Sequence, residues 1–222
     1  MHTPDGFLTS WICVVMLLIS LLPLLLALNN LRKSFSLKKA GAIVAVTAAI
    51  LVMQAFDFPV PNGTTGHLLG ITFALLALGI DGAVLSMTVA LAIQAFVFAD
   101  GGITTLGANV FNMAVLGVYI AHFVSRSLSG TTVYVRTFVA SWLSVFIAAI
   151  SCALQLAISG TVPLVPALME MGGTHAVVGG IEGLATALFA VVLCNRTGIM
   201  RTLEKTASRP SYSPVKCEKM DS

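Results

Sequence analysis

Six long apolar stretches, at about 7–28, 40–56, 67–98, 104–125, 134–160 and 174–194, follow one another with only short polar breaks between them. Each meets or exceeds the roughly 17–25 residues that a helix needs to cross a hydrocarbon core about 30 Å thick. So little is left between them that no soluble domain can be assembled. Charged residues make up 9% of the chain, against about 25% in ordinary globular domains. The expected fold class is all-α, a polytopic membrane protein.

The number of spans turns on the run at 67–98. As one helix, its roughly 31 residues would extend about 46 Å, well beyond a single crossing. Ile80-Asp81-Gly82 offers a turn that would divide it. Counted as a hairpin, it makes seven spans, and with the N-terminus outside all 12 Lys and Arg fall on the cytoplasmic side. Counted as one span, only Arg32, Lys33, Lys38 and Lys39 remain there. Cytoplasmic loops are the ones enriched in Lys and Arg, so the expectation is seven transmembrane helices in one domain over 1–195. The tail at 196–222, rich in Ser, Pro and Lys, reads as a disordered cytoplasmic extension. No basic residue precedes the run that starts at Phe7, the reverse of a signal peptide, so this run is a retained first span.

In this topology the outer face carries Asp5, Asp57, Asp100 and Glu170 and no Lys or Arg. Such a face concentrates cations and repels anions, although exclusion of basic residues alone would produce the same pattern. Cys13, Cys152, Cys194 and Cys217 form no CxxC pair and read as small hydrophobes rather than a disulfide or thiolate site. There is no GxxxxGK[ST] loop, so the chain is not itself an ATPase of that type. Nothing points to nucleic acid.

Three unusual elements share the outer face: Met1-His2, the loop from Phe58 to His67, and Ala99-Asp100-Gly101-Gly102. With histidine at position two, the free α-amine, the backbone nitrogen of His2 and its imidazole can close fused chelate rings on one ion. One corner of a square is left, and His67 is the candidate for it. Four nitrogens in a plane suit Ni(II) or Cu(II), and recruiting the amide nitrogen requires it to lose a proton, so capture should weaken in acid. Because histidine is bulky, removal of Met1 is not expected, and Met1 itself supplies the amine. The plainer alternative makes His2 an exposed polar residue near a terminus.

Pro4-Asp5-Gly6 reads as a turn folding the terminus back, with Asp5 available either to an imidazole or to a local turn. Thr65 and Asn109 lie near enough in this topology to support the site, and His175 also lies toward the outer end. His122 and Asp81 belong near the inner face, and Glu182 lies deep in the last span, paired internally or at a helix contact. Gly41, Ala45 and Ala49 recur every four residues, a stripe that lets another helix approach closely, within this chain or in a separate membrane partner. Gly179, Gly180 and Gly183 admit the same two readings.

Met1-His2-x-Pro4-Asp5-Gly6-Phe7-Leu8, Phe58-Pro59-x-Pro61-x-Gly63-Thr64-x-Gly66-His67-Leu68-Leu69-Gly70 and the run Ala99–Asn109 together resemble the CbiM/NikM family. These are substrate-binding components of energy-coupling-factor transporters for nickel and cobalt. The resemblance implies a six-helix core with an added N-terminal helix, and square-planar ligation by the Met1 amine, the His2 backbone and ring nitrogens and the His67 ring. It implies Ni2+ or Co2+ as transported substrate, and as partners a membrane coupling subunit, two ABC ATPase subunits and a small companion membrane protein. Pro4-Asp5 resembles the nickel branch more than the cobalt branch, while Thr3 departs from the more usual Ile. Two rivals remain: a stand-alone secondary transporter or channel, whose sites sit near the membrane midplane, and an intramembrane metalloenzyme, whose HExxH-type pair is missing here.

Overall fold

The computed structural model describes residues 1–56, 58–59 and 65–195. Six helices among them are long and apolar enough to cross a membrane: α1 (Ser10–Lys33), α2 (Leu37–Gln54), α3 (Ile71–Phe98), α4 (Leu106–Ser127), α5 (Val133–Ile158) and α6 (Leu164–Asn195). The chain is a multi-pass membrane protein. Polar caps start two of these helices: Ser36 accepts from the Lys39 amide ahead of α2, and Thr132 from the Val135 amide ahead of α5, each satisfying an end donor the helix cannot reach.

The interior is lined by small side chains. Ala74, Ala83, Ala90, Ala148, Ala149 and Ala153 are all fully buried, which lets helix backbones close up where lipid offers no hydrophobic drive to association. Leu18, Leu22 and Leu25 of α1 and Val177 and Leu188 of α6 face outward, as a lipid-contacting surface requires. Helices α5 and α6 form an antiparallel pair. A Cβ added at Gly179 would lie 3.2 Å from the Trp142 carbonyl oxygen, and one at Gly183 3.0 Å from that of Phe138. These two glycines therefore serve packing within the chain. Gly41 and Ala45, by contrast, are exposed, and a Cβ at Gly41 would meet nothing within 4 Å.

Seven transmembrane helices were expected, and six are found. The helical trace from Ile71 does break, at Gly79 (φ 72°, ψ −177°), next to the anticipated Ile80-Asp81-Gly82 turn. The eight residues before the break extend only about 12 Å, too little to cross a membrane. The approach to them is not helical: after a two-residue antiparallel ribbon pairing β1 (Phe58–Pro59) with β2 (Thr65–Gly66), residues 67–70 run without regular structure. Irregular backbone is tolerated at membrane depth only where protein satisfies its polar groups. Here Gln54 and Glu182 do so, as described below. Asp81, just past the break, lies 3.3 Å from Asn30 near the end of α1. The tail at 196–222 lies outside the described residues.

Candidate metal centre

Residues 1–9 ahead of α1, 65–70 ahead of α3 and 99–105 between α3 and α4 meet at one end of the bundle. The terminus has no regular structure at its start, yet Met1, His2 and Thr3 are each at most 3% exposed. Buried backbone groups need partners, and Thr3 has them. Its N–H donates to Asn109 Oδ1 (2.9 Å), while its carbonyl accepts from Gly102 N (3.0 Å), Thr105 Oγ1 (2.5 Å) and Asn109 Nδ2 (3.2 Å). One side-chain amide thus takes both polar groups of Thr3, as a neighbouring strand would.

Asp5 fastens the same segment further along. Its Oδ1 accepts from Thr104 Oγ1 (2.5 Å) and Thr104 N (2.8 Å), and its Oδ2 from Ile103 N (3.1 Å). The Thr104 hydroxyl leads the effects that hold this carboxyl below its ordinary range. Asp5 therefore ties the terminus to the 99–105 loop, and its oxygens are used there rather than on an imidazole.

That loop is shaped by the end of α3. A π turn at Gln94–Phe98 runs into Ala99 in the left-handed region (φ 53°), and Asp100 N donates to Gln94 O at 2.9 Å. The reversal brings Asp100 Oδ1 to 3.0 Å from His2 Nδ1. Burial pushes the Asp100 carboxyl up, but the adjacent His2 and the Met1 ammonium outweigh it and leave it below its ordinary range. Gly101 (φ 84°) and Gly102 permit this approach: a Cβ at Gly101 would lie 3.3 Å from His2 Cβ, and one at Gly102 would overlap Asp5 and Thr105.

His67 enters from the third segment. Its Nδ1 lies 3.0 Å from the Leu68 carbonyl, so Nδ1–H donates there and Nε2 keeps its lone pair. Nε2 is 2.9 Å from the Met1 amine nitrogen, and the ring stacks on His2 with centroids 4.5 Å apart and planes at 18°. Burial first, then the Met1 ammonium and His2, hold its pKa well below the usual histidine value. The ring is neutral at physiological pH, as a ligand must be.

The backbone behind His67 is gripped by two helices. Leu69 O accepts from Gln54 Nε2 (2.8 Å) on α2, and the Leu69 and Gly70 amides donate to Glu182 Oε2 (2.5 Å) and Oε1 (3.1 Å) on α6. Gly70 makes the corner at φ 76°.

Metal–nitrogen bonds of about 2.0–2.1 Å, as at zinc, put adjacent corners of a square about 2.8–3.0 Å apart. The Met1–His67 separation of 2.9 Å matches such an edge. Among the described residues no three His, Cys, Asp or Glu side chains converge as a ligand set, so an ion held here would need the terminal amine and main chain.

Met1, His2, His67 and Asn109 are thus brought together as the sequence suggested. The Thr65 side chain lies outside the described residues. His175 is fully buried on α6, with Nδ1 2.9 Å from the Met171 carbonyl. The loop carrying Asp100 was placed on this face from sequence, but its contact with His2 and the parts played by Gln54 and Glu182 were not. Their only signal was polarity beside or within apolar runs.

The chain matches the CbiM family model, described as the cobalt uptake substrate-specific transmembrane region, over residues 2–197. A relative in Archaeoglobus fulgidus, provisionally named a fused nickel transport protein, NikMN, is 37% identical over 189 residues, covering 84% of this chain and 63% of that protein. The chain therefore spans less than two thirds of the fused relative. A cobalt transport protein, CbiM, of Thermosipho melanesiensis is 29% identical over 161 residues, 72% of this chain and 68% of that one. A crystal structure described as a transition metal transporter superposes with a TM-score of 0.85 at 29% identity, covering 92% of this chain and 98% of that chain.

Proposed function

The chain belongs to the CbiM family, and from that premise we propose that it captures a divalent transition-metal ion at the extracytoplasmic face and delivers it inward as the substrate-specific subunit of an ATP-driven uptake transporter. The ligands are the Met1 amine, the His2 backbone nitrogen, His2 Nδ1 and His67 Nε2. The observation that carries this reading is the 2.9 Å separation of Met1 N and His67 Nε2, the length of an edge between two nitrogens bound to one ion. Where the ammonium now donates a hydrogen to Nε2, an ion would replace that proton and bind both nitrogens. His2 Nδ1 would exchange Asp100 for the metal.

Nickel is favoured over cobalt, because a square of four nitrogens including a deprotonated amide suits Ni(II) and because nickel transport relatives are among the matches. The distribution of Lys and Arg supports an extracytoplasmic N-terminus, because His67 and Asp100 both lie against His2 and the chain between them therefore returns to the side it left. The exposed Gly41 and Ala45, with Ala49 half-buried on the same helix, supply the smooth face onto which a membrane coupling subunit would dock. Two ATPases and a small companion membrane protein complete the assembly. The rival reading, a stand-alone secondary transporter, would want polar groups at the midplane open to both sides. Replacing His67 by Ala in purified protein tests the proposal: nickel affinity should fall by at least a hundredfold, with loss of the square-planar Ni(II) absorption. Unchanged affinity and spectrum would remove His67 from the site. Uptake into vesicles lacking any ATPase would favour the rival.

A further inference from the structure

We propose that Glu182 is the positioning residue for the His67 ligand, an inference that rests on the metal-capture reading above. A carboxylate in the middle third of an apolar span is costly to keep, and Glu182 is only 3% exposed. Both of its oxygens are taken up by main-chain donors of one short segment, Leu69 N at 2.5 Å and Gly70 N at 3.1 Å. Gln54 holds the same segment from α2 through the Leu69 carbonyl at 2.8 Å. Leu69 is two residues beyond His67, a reach of about 7 Å at most, so little slack separates the fixed peptide from the ligand.

The placement matters because of where the other ligands sit. The amine, the amide nitrogen and His2 Nδ1 all belong to the terminus, which is anchored on the 99–105 loop and α4 through Asp5, Thr105 and Asn109. His67 alone belongs to a different part of the fold, and its register against the terminus is set by Glu182 on α6 and Gln54 on α2. A ligand must be held to about 0.5 Å to be productive. Backbone hydrogen bonds to a buried carboxylate, stronger than neutral ones, give that precision without touching the ion.

A helix cap with a purely structural role would make the same contacts, so the test must separate the two. Nickel affinity is measured by competition titration on the full chain with a free amine, for Glu182→Gln and Glu182→Asp, each in the native and the His67→Ala backgrounds. Glu182→Gln keeps the size but turns an amide N–H donor toward a peptide N–H. It should weaken nickel binding at least tenfold in the native background and by less than twofold when His67 is already Ala. Glu182→Asp, which retains the charge at shorter reach, should show a smaller loss with the same dependence on His67, and it serves if the Gln variant does not fold. Equal losses in both backgrounds would identify a structural cap and overturn the proposal, as would native affinity in both variants. If His67→Ala alone leaves affinity unchanged, the capture reading itself fails, a result distinct from failure of the Glu182 proposal.

Discussion

Met1 and His67 are 66 positions apart in the chain and 2.9 Å apart in space, and the chemistry of the site follows from holding a charged amine against a neutral imidazole out of water. Burial, the ammonium and His2 keep His67 unprotonated in the fold, whereas the unfolded chain takes up that proton near pH 6.5. A histidine whose folded pKa is depressed leaves stability intact above the unfolded value and costs it as pH falls through and below about 6.5. Thermal melting in detergent should therefore decline from pH 7.5 to pH 5, and His67→Gln should flatten that dependence. An equal slope in the variant would contradict the assignment. The candidate ligands could be read from the sequence because a histidine at position two has only one obvious chelating use. The Asp100 contact could not, since it depends on the π turn and the left-handed Ala99 that swing the carboxylate back onto His2.

At the scale of elements, the terminus behaves as an added piece of secondary structure without being one. Asn109 replaces a neighbouring strand by bonding both polar groups of Thr3. Asn109→Ala leaves at least one buried N–H without its acceptor, a loss of about 1–3 kcal/mol, which at 1.4 kcal/mol per decade corresponds to roughly five- to hundredfold weaker nickel binding. Gly102→Ala pushes a methyl group into Asp5 and Thr105 and should weaken nickel binding by at least tenfold while exposing residues 1–6 to protease. Binding at native strength in both variants would show that docking of the terminus is not needed. The six long helices were visible as apolar runs, and the run at 67–98, read as a hairpin of two helices, does break at Gly79 but holds only one helix long enough to cross a membrane. Hydropathy sees only composition, and here the first arm is irregular chain leading into eight helical residues, with Gln54 and Glu182 satisfying the peptide groups.

For the molecule as a whole, polarity of insertion is the property on which capture from outside depends. With Cys194 and Cys217 changed to Ser, and Cys13 and Cys152 buried, single cysteines at the exposed Leu164 and Ser129 report the two ends of the bundle. A membrane-impermeant maleimide applied to intact cells should label Leu164→Cys and spare Ser129→Cys; the reverse pattern would place the site on the wrong side for uptake. The expectation of this orientation rests on charge placement along the sequence, whereas the convergence of three distant segments required the fold. The most direct test of the account is calorimetric titration of nickel into the solubilised protein with its native amino end, compared with protein whose α-amine has been acetylated. One ion per chain should bind when the amine is free, and none measurably after acetylation. Equal affinity in the two samples would contradict it.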